Sequence, residues 1–165
     1  MPEPALELSY PLIDICSGGE HFRFLCTEIV PEYRTPDAEQ PTDFFCKFGA
    51  EYEGVGLAAH FGCDITAGNV YAFYCALDGI YDGLTAEKTA QLVNYGTLAR
   101  TSFSVSFDKK GGCLLRGFFL NKDSAYQSGI KIHMQIDQSY ISDSICAMQR
   151  FFRTLGEAQG HFHFD

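Results

Sequence analysis

The sequence predicts an α+β fold: a twisted antiparallel β-sheet of about six to eight strands with two amphipathic helices packed on one face. Three observations predict it. Runs rich in aromatic and β-branched residues are separated by short turn signals. Two stretches carry apolar residues at a 3.6-residue period. The order of these pieces, strands then helix then strands then helix, excludes alternating βαβ units and with them a doubly wound nucleotide fold. The chain of 165 residues suits a single domain spanning 1–165, with its 15 Phe and 9 Tyr supplying much of the core.

The first 12 residues hold three prolines and predict an extended lead-in. His21–Val30 is the first clear strand. The proline-rich, acidic stretch 31–42 reads as a solvated loop. Asp43–Tyr52 and Val55–Phe61 follow as strands, joined by a tight turn at Glu53-Gly54. Thr66 caps a helix to about Asp82, with Val70, Phe73, Tyr74, Leu77 and Tyr81 on one face and Gly83 at its end. In the second half, Gln91–Tyr95 is a short strand, and Phe103-Ser104-Val105-Ser106-Phe107 alternates strictly between core and water. Lys109-Lys110-Gly111-Gly112 marks a turn. Cys113–Leu120 and Gly129–Ile136 are strands joined by a polar loop at 121–128. The last helix is capped by Asp137 or Ser139 and ends before Gly156, with Ile141, Ile145, Met148, Phe152 and Leu155 as its stripe.

Charge narrows the function classes. Twelve Lys and Arg stand against 21 Asp and Glu, a net −9. Residues 1–100 hold 15 acids and 5 bases, whereas residues 101–165 hold 6 acids and 7 bases. An acidic chain is repelled by phosphate backbones and anionic membranes, so neither nucleic acid nor membrane is an expected partner. The acidic start lacks the basic and apolar regions of a secretory signal, and cytoplasmic residence is expected. Seven cysteines, Cys16, Cys26, Cys46, Cys63, Cys75, Cys113 and Cys146, show no Cys-x-x-Cys pair or zinc-ribbon spacing. They predict reduced thiols, mostly in the core.

No catalytic motif is present. There is no phosphate-binding loop and no nucleophile elbow. His60 and Cys63 are near in sequence but lack any fixed catalytic geometry. An enzyme is therefore not expected, no cofactor is implied and no metal site is assigned. The best metal candidate is the tail, where His161 and His163 fall on one side of an extended chain, yet two ligands at a chain end make a weak site. The carboxylates Glu28, Glu32, Asp37, Glu39, Asp43, Glu51 and Glu53 cluster on adjacent strands and loops. They read either as a solvated face or as a docking surface for a basic protein. Tyr10, Tyr33, Tyr52, Tyr71, Tyr126 and Tyr140 lie near loops or polar neighbours, where tyrosine serves interaction surfaces or the edge of a core.

The layout resembles small bacterial immunity proteins of the WapI-type group. The resemblance rests on Gly112-Cys113-Leu114-Leu115-Arg116-Gly117-Phe118-Phe119, on the strand Gly129–Ile136, and on its junction Asp137-Gln138-Ser139-Tyr140-Ile141 with the final helix. It implies a cytoplasmic, non-enzymatic protein that binds and blocks a cognate toxin domain, often a nuclease. The acidic residues named above would then meet the toxin's basic surface. The alternative is a small-molecule-binding α+β domain with a Phe-rich pocket.

Overall fold

The computed structural model describes residues 6–30, 45–83, 89–95, 99–108, 110–123 and 126–157. They form β1 (Leu6–Ser17), β2 (Glu20–Val30), β3 (Phe45–Gly54), β4 (Leu57–Cys63), α1 (Ala67–Gly83), β5 (Thr89–Tyr95), β6 (Ala99–Phe107), β7 (Cys113–Asp123), β8 (Tyr126–Ile136) and α2 (Gln138–Glu157). The fold is α+β with antiparallel strands and two helices, as the sequence predicts. The eight strands divide into two four-stranded sheets of strictly sequential order, β1-β2-β3-β4 and β5-β6-β7-β8. Each sheet is followed by a helix, so the chain repeats one unit of four strands and a helix.

The inner faces of the sheets meet through phenylalanines. Phe24 lies 5.0 Å from Phe103 between ring centroids, Phe22 is 5.8 Å from Phe119, and Phe61 is 5.9 Å from Phe119. Phe73 of α1 joins them edge-on, 5.0 Å from Phe103. These offset and edge-to-face distances are those that aromatic quadrupoles favour. Gly117 leaves the room that Phe119 needs, since a Cβ there would stand 2.9 Å from the Phe119 ring. The helices pack on one edge strand of each sheet, α2 on β1 and α1 on β5, and touch each other. Tyr10 of β1 donates a hydrogen bond to the Ala147 carbonyl of α2 (3.2 Å).

Several local expectations shift. From Leu6 on, the predicted lead-in is edge strand β1; Pro11 is accommodated where the register slips between Glu7 and Tyr10 and between Pro11 and Ile13, because an edge strand with bulges can spare a donor. The β3–β4 turn falls at Val55-Gly56 rather than Glu53-Gly54, since Gly54 still pairs with Leu57. The polar stretch 121–128 mostly continues the ladder, with Asn121 opposite Ser128 and Asp123 opposite Tyr126. Both helix caps stand as read. Thr66 Oγ1 accepts from the Asn69 amide (3.2 Å) while Asn69 Oδ1 accepts from the Thr66 amide (3.1 Å), a reciprocal box. Asp137 Oδ1 accepts from the Ser139 amide (2.8 Å), which holds its carboxyl below the usual range. The loop predicted at 31–42 lies outside the described residues.

Candidate nucleic-acid interface

Strand alternation sorts the second sheet into a buried and a solvent face. Thr101, Phe103, Val105, Phe107, Cys113, Leu115, Phe119, Ile132, Met134 and Ile136 are buried, which turns their neighbours outward. The register then sets the outer residues in rows. Gln91, Ser104, Arg116 and His133 form one row, and Val93, Ser102, Phe118 and Lys131 the next. Arg100 lies one row further, opposite Leu120. Arg116, Lys131 and His133 are exposed and Phe118 is half-buried.

Two properties make this face a candidate site. Among its described residues there is no Asp or Glu, in a chain of net charge −9. An aromatic ring also stands among the cations: the Arg100 guanidinium is 5.7 Å from the Phe118 ring centroid, within cation–π range. Ser102 and Ser104 add small hydroxyls beside the ring. A shallow hollow of about 300 Å³ runs between Arg116, Phe118, Lys131 and His133. Cations that neutralise phosphates, a ring face that can stack on a base and hydroxyls that can bond to either are the parts of a single-strand platform.

The outer face of the first sheet is built differently, because its bases are matched by acids. Arg23 pairs with Glu51 across β2 and β3. His60 Nδ1 is 3.3 Å from Glu51 Oε1, and Lys47 Nζ is 2.7 Å from Glu28 Oε2. Of the predicted docking carboxylates, Glu28 and Glu51 are thus engaged by neighbouring strands, and Glu53 is exposed in the row of His21. Glu32, Asp37, Glu39 and Asp43 lie outside the described residues.

The remaining candidates separate. His60 is exposed and Cys63 buried, as an odd spacing along a strand requires, so they do not meet. Burial pushes the Cys63 thiol up to about 11, away from the reactive thiolate. His161 and His163 fall outside the described residues. Tyr52 points into the first sheet's core and donates to Glu20, Tyr71 packs edge-on against Phe152 at 5.0 Å, and Tyr140 donates to the Cys16 carbonyl. Tyr33 lies outside the described residues, as does the side chain of Tyr126. The phenylalanines expected to line a ligand pocket fill the core against one another instead.

The architecture defines a class: two sequential four-stranded antiparallel sheets, each followed by a helix, packed through their inner faces. The chain is similar in fold to the plant transcriptional regulator PBF-2, with 10% identity, a TM-score of 0.51, and coverage of 93% of this chain and 84% of that one. It is also similar to WHY3 from Arabidopsis thaliana, with 12% identity, a TM-score of 0.50, and coverage of 93% and 90%. No protein-family model matches the chain, and no curated protein does.

These neighbours overturn the expectation of an immunity protein that blocks a toxin and avoids nucleic acid. The element order behind that resemblance is shared with a transcriptional regulator. Net charge is an average over the whole chain and does not describe any one face of it. Exposed charges are screened beyond roughly 10 Å at 0.1 M salt, so a carboxylate-free face acts on its own neighbourhood. Motifs and net charge pass over Arg116 and Phe118 of this face. The signal that finds them is their alternation with Leu115 and Phe119 on one strand, and that of Lys131 and His133 with Ile132 and Met134 on the next, in the part of the chain where bases outnumber acids. No described helix is long and apolar enough to cross a membrane.

Proposed function

We propose that the protein binds single-stranded nucleic acid across the outer face of the β5–β8 sheet, as a binding protein rather than an enzyme. The observation that carries this is the ring of Phe118 set among Arg100, Arg116, Lys131 and His133 on a face without described carboxylates. The fold shared with a plant transcriptional regulator supports it. A base stacks on Phe118 while the phosphates on either side meet Arg116 and Lys131. Ser102 and Ser104 bond to sugar or base edges without imposing a sequence. The open face suits a strand whose bases are splayed out, because a duplex hides its ring faces.

Fluorescence anisotropy with a labelled single-stranded oligonucleotide at low salt tests this. Saturable binding is expected, with weaker binding of the matching duplex. Phe118→Ala should weaken the single-strand complex by about 1–3 kcal/mol, the usual worth of one stacked base. Absence of binding at low salt, or equal affinity of the wild type and Phe118→Ala, contradicts the proposal.

A further inference from the structure

We propose that Asp14, Cys16 and His21 form a binding site for a divalent ion of the zinc type, on the face of the first sheet that points away from the nucleic-acid platform. Asp14 and Cys16 are two residues apart on β1 and so share its outer face, and His21 of β2 stands directly opposite Cys16. The two-residue turn Gly18-Gly19, with both φ values positive (61° and 81°), closes the hairpin tightly enough to bring them together. Their ligand atoms all lie within 4.8 Å of one another, and His21 Nε2 is 2.5 Å from Asp14 Oδ1.

A tetrahedral ion with bonds of roughly 2.0–2.3 Å needs its ligand atoms roughly 3.3–3.8 Å apart. His21 Nε2 and Asp14 Oδ1 now stand closer than that and no pair is farther apart than 4.8 Å, so swinging the Asp14 carboxylate oxygen outward by about 1 Å admits the ion. One nitrogen, one sulfur and one oxygen make a borderline-soft set, which favours zinc over magnesium or calcium with their all-oxygen shells. On binding, the Cys16 thiol gives its proton to solvent, and His21 gives up the Nε2 proton it donates to Asp14, so that Nε2 ligates while Nδ1 carries the one proton of the neutral ring. The backbone is held in place from behind: Tyr140 donates to the Cys16 carbonyl, and Ser17 Oγ donates to the Gln135 carbonyl at 2.8 Å. A hollow of about 660 Å³ lined by Cys16, His21 and Glu53 adjoins these ligands and leaves room for a fourth. Water or the Glu53 carboxylate, in the row of His21, completes the shell. Ligands spread over the two strands of a hairpin carry no linear spacing motif, which is why a search for Cys-x-x-Cys passes over them.

The test is a titration of the reduced, full-length chain with Co²⁺ as a spectroscopic stand-in, followed by displacement with Zn²⁺. One equivalent per chain is expected, with a near-ultraviolet thiolate-to-cobalt band. That band should be lost in Cys16→Ser and in His21→Ala, whose side chains stand outside the core. It should persist in the double variants Cys75→Ser/Cys146→Ser and His161→Ala/His163→Ala, which remove the other exposed thiols and the tail histidines. Zn²⁺ should raise the melting temperature of the wild type but not of Cys16→Ser. No band in the wild type, or a band that survives Cys16→Ser, overturns the site. Loss of binding only in the tail variant places the metal at His161 and His163 and overturns it equally.

Discussion

Phe118 and Phe103 show how one residue type serves two ends on adjacent strands. Phe103 faces inward, 1% exposed, and touches Phe22, Phe24, Phe73 and Phe119. Phe103→Ala removes the ring that joins both sheets to α1, and should cost about 3–5 kcal/mol in urea unfolding. A loss below about 1 kcal/mol would mean that the sheets do not pack through this ring. Phe118 faces outward, so its removal should leave the unfolding midpoint nearly unchanged while weakening nucleic-acid binding. The thiols divide along the same lines. Cys16, Cys75 and Cys146 are exposed, whereas Cys26, Cys46, Cys63 and Cys113 are buried. A thiol reagent should therefore modify three cysteines rapidly in the native protein and the other four only on unfolding. Burial pushes Cys63 and Cys113 each up to about 11 from an ordinary 9.0. A hydrogen bond with Cys46, together with burial, raises Cys26 as well. Between these values the unfolded chain binds fewer protons than the native one. Stability contributed by these thiols is full below pH 9 and should fall as the pH rises towards 11. A flat unfolding midpoint across that window would contradict it.

At the scale of elements, the hairpin turns and helix caps carry the local energetics. Val55 holds a φ of +52° in the β3–β4 turn while the residue is 91% exposed. A β-branched residue in the left-handed region costs roughly 1 kcal/mol or more, and no packing offsets it here. Val55→Asn should therefore stabilise the protein by about 1 kcal/mol, visible as a higher melting temperature. An unchanged or lower value would show that the strain is relieved elsewhere. At the other end of β4, Thr66→Ala breaks the reciprocal cap on α1 and should cost about 1 kcal/mol. The helices, their caps and the strictly alternating strand at 103–107 were legible in the sequence because each is decided by neighbours within a few residues. Strand β1 was not, because Pro11 signals a break in isolation and is tolerated at a bulged edge beside β2. The extensions of β7 and β8 were not either: Asn121 to Ser128 reads as polar loop until the ladder pairs the two residues. The candidate site was the least legible part. Arg100, Phe118, Lys131 and His133 come from three strands, and only the register lays them side by side.

At the scale of the whole molecule, charge is segregated between two sheets. The first sheet matches its bases with acids across strands, while the outer face of the second carries cations and no described carboxylate. The net −9 opposes a polyanion at long range, and the local face attracts it at short range. Raised salt weakens both, but in the proposed complex the contacts of Arg116 and Lys131 with phosphates would release counterions. With two such contacts, the logarithm of the single-strand affinity should fall against the logarithm of salt with a slope of about −1.4. Arg116→Ala should reduce that slope by about 0.7, and a slope unchanged by the substitution would place the strand elsewhere.

The most direct measurement is a backbone-amide NMR titration of the full chain with a short single-stranded oligonucleotide at low salt. Shifts concentrated on the outward-facing residues from Arg100 to Ser104, Arg116 to Phe118 and Lys131 to His133 are the predicted result. Shifts confined to the first sheet, or no shifts at saturating strand, would contradict a nucleic-acid platform on the β5–β8 face.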